Sequence, residues 1–382
     1  MVRLAALSAI ERLRYTLSSS ISKMDQQIAA VPDSEHYFEG VEKLLEVWFD
    51  ESTIPTGDLR NITRQQWENL LCHVKCEIIS FKRNDYIDAF LLSESSMFVS
   101  RRRWILKTCG TTTPLKCLEQ LLDLAKVEGY AVVSDIFYSR KNFTRPEVQN
   151  SPHKGFYEEV TYLDSIFPEG RSYCLGSINL ECWYLYTFSK PEVKALPDII
   201  AEVDNNKDAD ADVDQDPEPD QTIEILMQNL DKDIMALFSK DKVSNGPDAT
   251  QSSGIDRILP DMLIDDFLFD PCGYSMNGIN KKGEYMTIHI TPEEKFSYVS
   301  FESNVALNNY TRLINQVIKT FKPGTFIVTI FANKSSLAYE TMKELEIEYS
   351  TLSNWKRTDM QCCNFPSYNL LFAQYCRGTK ST

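Results

Sequence analysis

Residues 285–291 read YMTIHIT, and the apolar Met286, Ile288 and Ile290 alternate with Tyr285, Thr287, His289 and Thr291. A period of two marks a strand with two unlike faces, and it puts His289 on the polar one. Such runs recur along the chain. CEIISFKRNDYIDAFLLSESSMFVSRRRWILKTCG, from residue 76, offers three, and CWYLYTF, QTIEILMQ, FSYVSFES and FIVTIFA add more. The connections between them are short and polar, too short for the crossover helices that parallel pairing requires. The expected fold class is α+β, built on antiparallel sheets.

Helical spacing appears in fewer places. LKCLEQLLDLAKVEGY from Leu115 and NNYTRLINQVIKTF fit amphipathic helices, and so does YFEGVEKLLEVWF over residues 37–49. In that last segment Val41, Leu44, Leu45 and Trp48 recur at helical intervals, and Glu42 and Glu46 share the opposite face. On periodicity alone this is a helix with a solvated acidic side.

Two stretches fall outside the pattern. Residues 1–36 form an N-terminal extension, expected to pack poorly; it is Arg- and Ser-bearing like a transit peptide, but Glu11 and Asp25 interrupt it. Residues 190–219 are rich in Asp and Pro; positions 201–220 alone carry nine acidic side chains and one Lys. That composition cannot bury enough apolar area to offset its ordering entropy, so a disordered surface loop is expected. KDKVSNGPDATQSSG reads as a second loop. Neither interrupts the succession of strands, so residues 37–382 are expected to form a single domain. No internal repeat is visible as identity.

The net charge of −15 argues against nucleic acid as a partner, because phosphate binding needs clustered cations. No apolar run approaches the roughly 20 residues that cross a bilayer, so no membrane span is expected. The ten cysteines lack a regular framework and the four histidines lie far apart, which argues against a metal site. Reduced thiols and a cytoplasmic location are the expectation.

Read for chemical groups, three segments stand out: the Ser-rich LSESSMFVS, Cys109 in LKTCGTT, and His289. Each has a local reading as a turn, a small buried hydrophobe and a hydrogen-bonded histidine. Together they also suit a Cys109–His289 or Ser–His hydrolase, but no G-x-S-x-G elbow accompanies them.

At these segments the chain closely resembles eukaryotic pyruvoyl-dependent S-adenosylmethionine decarboxylases. The matching blocks are YFEGVEKLLEVWF, LLSESSMFVSRRRWILKTCGTT, FYSRKNF, YCLG, CWYLYT, PDQTIEILM, FDPCGYSMNG and TIHITPEEKFSYVSFESN, in order over roughly residues 37–375. The resemblance implies a four-layer α/β-β/α sandwich, two antiparallel sheets face to face with helices on both outer faces. It implies self-cleavage between Glu94 and Ser95 into a β chain 1–94 and an α chain 95–382, with Ser275 and His289 assisting. Ser95 would become a pyruvoyl group that forms a Schiff base with the substrate, and Cys109 would return a proton to the α-carbon. Phe38 and Phe269 resemble the aromatics that sandwich the adenine, Glu293 the ribose acceptor, and Glu39 and Glu42 acids near the sulfonium and the processing site. Asp220, Thr222, Glu224, Glu302, Glu46 and Lys107 resemble an internal site for putrescine, an activating diamine. The resemblance further implies a homodimer of αβ units and a role in spermidine and spermine synthesis. Glu294 and Asp270 depart from the usual proline and asparagine, beside functional positions rather than at them. A rival reading, a non-catalytic partner of a true decarboxylase, would be marked by loss of Ser95, Cys109 or His289; all three are present.

Overall fold

The computed structural model describes residues 37–190, 219–339 and 355–378; the N-terminal extension and nearly all of the acidic stretch 190–219 lie outside these. Among the described residues, strands β1 (Lys43–Phe49), β2 (Ile78–Arg83), β3 (Ile87–Leu92), β4 (Ser95–Ser100), β5 (Arg103–Thr108), β6 (Val133–Lys141), β7 (Arg171–Gly176) and β8 (Cys182–Ser189) form one sheet, ordered β2-β3-β4-β5-β1-β6-β8-β7. A second sheet holds β9 (Gln221–Gln228), β10 (Leu263–Leu268), β11 (Tyr274–Ile279), β12 (Tyr285–Thr291), β13 (Tyr298–Ser303), β14 (Thr325–Asn333), β15 (Trp355–Asn364) and β16 (Tyr368–Arg377), ordered β10-β11-β12-β13-β9-β14-β16-β15. Every pairing is antiparallel, as the short connections require. The second order is the first shifted by eight strands. The topology is thus duplicated even though no repeat shows in the residues.

Four buried clusters define the layers. One joins Leu45, Val47 and Leu106 of the first sheet to Trp67 and Leu70 of α1 (Arg64–Val74), Leu121 of α2 (Leu118–Val127) and Leu163 of α3 (Phe156–Ile166). Another joins Ile225, Ile288 and Phe301 of the second sheet to Leu313, Ile314 and Val317 of the long amphipathic helix Thr311–Phe321. Two smaller clusters lie between the sheets: Trp183 and Leu185 with Leu226, Ile327 and Phe372, and Phe98 and Ile105 with Ile279 and Tyr285. The order is helix, sheet, sheet, helix. Where the sheets meet outside those two apolar patches, the facing side chains are polar or charged.

Residues 43–49 correct the helical expectation: they are β1, a central strand bonded to β5 on one side and β6 on the other. Leu45, Val47 and Phe49 enter the helix-side core, while Glu42, Leu44 and Glu46 turn toward the second sheet. Short apolar runs fit both periods, and two complete hydrogen-bond ladders decide the matter here. Glu42 and Glu46, put on a solvated face by periodicity alone and at functional sites by the resemblance, are 4% and 7% exposed.

Residues 240–254 are likewise not all loop. A helix spans Gly246–Ser253 because Asn245 caps it, accepting from the Asp248 N–H, Pro247 fits its first turn and Gly254 closes it in the left-handed region.

Candidate active site

The β3–β4 hairpin turns at Ser93 and Glu94, and Ser95 opens β4 opposite Leu92. Ser95 has φ of 130°, a conformation that a residue with a Cβ adopts at a cost of about 1–3 kcal/mol. Strain therefore sits on the Glu94–Ser95 unit. The Ser95 hydroxyl is buried and donates to Glu42 Oε1 at 2.7 Å. The Glu94 carbonyl oxygen accepts from the Cys109 N–H at 3.0 Å, with Cys109 Sγ 3.4 Å away. The residue after it is held from two sides: Gly110 N–H donates to the Glu39 carbonyl at 2.8 Å, and Lys43 Nζ donates to the Gly110 carbonyl at 3.0 Å.

His289 stands on β12 beside Ser275 of β11, its registered neighbour. Its Nδ1 is 2.8 Å from Ser275 Oγ, and its Nε2 lies 2.8 Å from Thr287 Oγ1 and 3.0 Å from Ser96 Oγ. Glu42 Oε1 is 3.9 Å from the same Nε2. Burial pushes the His289 pKa down to about 4 against the pull of Glu42 and Glu302, so the ring is neutral near pH 7. Burial pushes the Cys109 thiol well up, and the charges of Glu94 and Glu42 add to this, so it keeps its proton.

Lys107 of β5 is the hub of the inter-sheet charges. Its Nζ lies 2.8 Å from Glu224, 2.7 Å from Glu302 and 3.5 Å from Glu42. Burial raises the Glu42 carboxyl, but Lys107, His289 and hydroxyl hydrogen bonds outweigh it and hold the group below its ordinary value. A second cation, Arg103, pairs with Glu46 at 2.7 Å and Asp220 at 3.2 Å. These carboxylates line a cavity between the sheets with Thr222, Phe137 and Trp183. Among the described residues the cations paired with Glu46, Asp220, Glu224 and Glu302 are Lys107 and Arg103, and Lys107 is shared with Glu42 as well, so carboxylates outnumber cations here. Burial accordingly pushes Glu46 up to about 7 despite Arg103, with Asp220 adding to the rise. Thr222 Oγ1 and Trp183 Nε1, both buried at this cavity, have no hydrogen-bond partner.

Of Phe38, Phe269 and Glu293, likened above to adenine and ribose contacts, Phe38 lies beside the Glu94–Ser95 turn. Phe38 packs over Gly110, where an added Cβ would meet its ring at 3.0 Å and Glu94 Oε2 at 3.2 Å. Phe269 stands edge-on to Phe267 at 4.9 Å and is tied to the Gly273 carbonyl through its N–H. Glu293 Oε2 is buried without a partner, and burial raises its pKa. The Glu39 carboxylate is already engaged: Oε2 accepts from the N–H groups of Thr144 and Arg145 and from Tyr37 OH, at 2.9, 3.1 and 2.8 Å.

The structure thus brings Glu42, Glu94, Ser95, Cys109, Ser275 and His289 together from the residue before β1, the β3–β4 turn, β4, the residue after β5, β11 and β12. Sequence reading noted Ser96 within its Ser-rich segment and Thr287 as a hydroxyl beside His289, and missed Asn277, Arg103 and Lys43. Thr287 was legible, since it shares the His289 face of an alternating strand. Asn277, Arg103 and Lys43 carry no signal until the sheets are stacked. Among the described residues there is no cluster suited to a metal ion, and no helix is long and apolar enough to cross a membrane.

Comparison with known proteins agrees with this arrangement. The family model for adenosylmethionine decarboxylase matches residues 35–376. S-adenosylmethionine decarboxylase proenzyme of Drosophila melanogaster is 71% identical over 349 residues, covering 91% of this chain and 98% of that one. The proenzyme of Xenopus laevis is 44% identical, covering 90% and 96%. The solved Trypanosoma brucei AdoMetDC-delta26 monomer superposes with a TM-score of 0.56 at 25% identity, over 74% of this chain and 99% of that one. With its duplicated sheets, strained Glu94–Ser95 bond and this extent of identity, the chain belongs to the adenosylmethionine decarboxylase family.

Proposed function

We propose that this chain is a proenzyme that cuts its own Glu94–Ser95 bond and then decarboxylates S-adenosylmethionine. The observation that carries the reading is the hold on that one bond: φ of 130° at Ser95, its hydroxyl on Glu42 at 2.7 Å and the Glu94 carbonyl on the Cys109 N–H at 3.0 Å. Glu42 holds the Ser95 oxygen and draws on its proton, and Cys109 N–H steadies the negative charge that develops on the attacked carbonyl. Attack moves the Glu94 acyl group from nitrogen to oxygen and relieves the strained backbone. His289, neutral and buried, then takes the Ser95 Cα proton while the Glu94 carboxylate leaves. Hydrolysis of the resulting dehydroalanine at position 95 leaves the pyruvoyl group and releases ammonia.

The surroundings of residue 95 fit that group: it is buried, at a strand start, with a protonated thiol beside it. Once formed, the pyruvoyl group supplies the carbonyl that engages the substrate amine and takes up the electron pair left by CO2. Cys109 holds the proton that the α-carbon needs afterwards. Phe38 and Phe269 are assigned to the adenine and the unpartnered Glu293 carboxylate to the ribose hydroxyls. Glu39 is assigned to anchoring Phe38 and Gly110, since its carboxylate is taken up by Thr144, Arg145 and Tyr37.

The cavity at Glu46, Asp220, Thr222, Glu224 and Glu302 is assigned to putrescine, whose two ammonium groups suit a buried site where carboxylates outnumber cations. Through Lys107 and Glu42 that cavity connects to Ser95, so a bound diamine acts on processing or turnover. The same reading includes a homodimer of αβ units in the cytoplasm, supported by the family resemblance. Intact mass on a denatured sample tests the core of it. Two fragments meeting at 94/95, the larger with a pyruvoyl end, are expected; one full-length chain would favour the non-catalytic reading.

A further inference from the structure

We propose that Asn277, Ser96 and Thr287 hold His289 in a single tautomer, with the ring proton on Nε2 and the basic lone pair on Nδ1 beside Ser275. This rests on the reading of His289 as the base in self-processing, and makes Asn277, Ser96 and Thr287 positioning residues for it.

The assignment follows from counting hydrogens. Asn277 Nδ2 donates to the Phe90 carbonyl at 3.0 Å, which fixes the amide and leaves Oδ1 facing Ser96 at 2.6 Å. Oδ1 only accepts, so the Ser96 hydroxyl spends its hydrogen there. The Thr287 hydroxyl spends its own on the Met276 carbonyl at 3.1 Å. Nε2 of His289 therefore faces two oxygens with only lone pairs to offer, at 3.0 and 2.8 Å, and must carry the hydrogen. Glu42 Oε1, 3.9 Å beyond, favours a hydrogen on the same nitrogen. Nδ1 is left with a lone pair, and Ser275 Oγ at 2.8 Å is its donor. Ser96, Asn277, Thr287 and His289 are all buried, so water does not substitute for these partners.

In processing, the Ser275 hydroxyl turns its hydrogen away from Nδ1, and the lone pair so freed gains the Cα proton of residue 95. The C–H electron pair becomes the Cα–Cβ double bond, and the Cβ–O ester bond breaks to give the Glu94 carboxylate. The imidazolium so formed already directs its Nε2–H at Ser96, Thr287 and Glu42, so its charge arises where acceptors are in place.

Long-range 1H–15N NMR of the full chain, labelled at histidine and kept uncleaved by Ser95→Ala, reads the tautomer directly. Four histidines are present, and His289→Gln identifies the signal of interest. A neutral ring protonated at Nε2 is expected. Thr287→Val should shift it toward the Nδ1–H form, and Thr287→Ser should restore it. In the cleavable chain Thr287→Val should slow fragment appearance roughly tenfold. Ser96→Ala is the second variant if Thr287→Val fails to fold. An Nδ1–H ring or an imidazolium at pH 7.5 would overturn the proposal, as would ring signals unmoved by Thr287→Val and Ser96→Ala. A His289→Gln chain that cleaves normally would instead overturn the reading of His289 as base.

Discussion

Cys109 meets Glu94 twice: its N–H donates to the Glu94 carbonyl at 3.0 Å, and its Sγ lies 3.4 Å from the same oxygen. On the reading proposed above, one residue thereby addresses the bond to be cut with its backbone and keeps its thiol for the reaction that follows.

Cys109→Ala retains the backbone donor and loses the acid. Fragments should still appear on a denaturing gel, while decarboxylation falls by about 10²–10⁴-fold, the range of general acid catalysis. Full turnover in the alanine variant would remove the thiol from the mechanism.

Glu42 links Ser95 to Lys107, at 2.7 and 3.5 Å. In Glu42→Gln, cleavage should slow roughly tenfold or more and its response to putrescine should shrink, because the charge that connects cavity to scissile bond is gone. Time courses of fragment formation with and without the diamine measure both. A Glu42→Gln chain that cleaves slowly but keeps the full diamine response would separate the two roles.

The diamine response should depend on pH. Burial raises Glu46 to about 7, above its unfolded value, so the folded chain holds an extra proton between the ordinary carboxylate range and about 7. Stability from this group is therefore lost as pH rises through that window, where the uncompensated carboxylate becomes charged. A bound dication reverses the loss. The rise in Tm on adding putrescine should be larger at pH 8 than at pH 6, with proton release on binding at pH 6. An equal or smaller rise at pH 8 would contradict the assignment of Glu46.

Glu39→Ala leaves Thr144 N–H, Arg145 N–H and Tyr37 OH without their acceptor. These hydrogen bonds are part-buried and worth about 0.5–1.5 kcal/mol each, so the variant should melt earlier and bind substrate less tightly through a displaced Phe38, with kcat affected least. An unchanged Tm with abolished kcat would make Glu39 a chemical group instead of an anchor.

Much of the second sheet was legible because its strands alternate cleanly: YMTIHIT places His289 and Thr287 on one face without any knowledge of the fold. Residues 43–49 were not, because a central strand carries apolar groups on both faces and so loses its period of two. The buried role of Glu42 and Glu46 was hidden by the same error. Roles that arise across the sheet interface, such as Asn277 against Ser96 or Arg103 against Asp220, depend on stacking two separately formed surfaces. No local pattern encodes that. The duplicated strand order escaped notice for a related reason, since hydrogen-bond topology survives without shared residues.

β1 lies upstream of the scissile bond, yet it sits between β5 and β6, which both lie downstream of it. A cut after Glu94 therefore frees no piece of the molecule. The shorter fragment is interleaved with the longer one, and can depart only if six paired residues against β5 and seven against β6 let go together. On the proposed reading, cleavage at 94/95 is thus chemically irreversible and mechanically silent. The two fragments should co-purify through any condition short of melting the sheet, and once melted apart they have no covalent memory of how to interleave again.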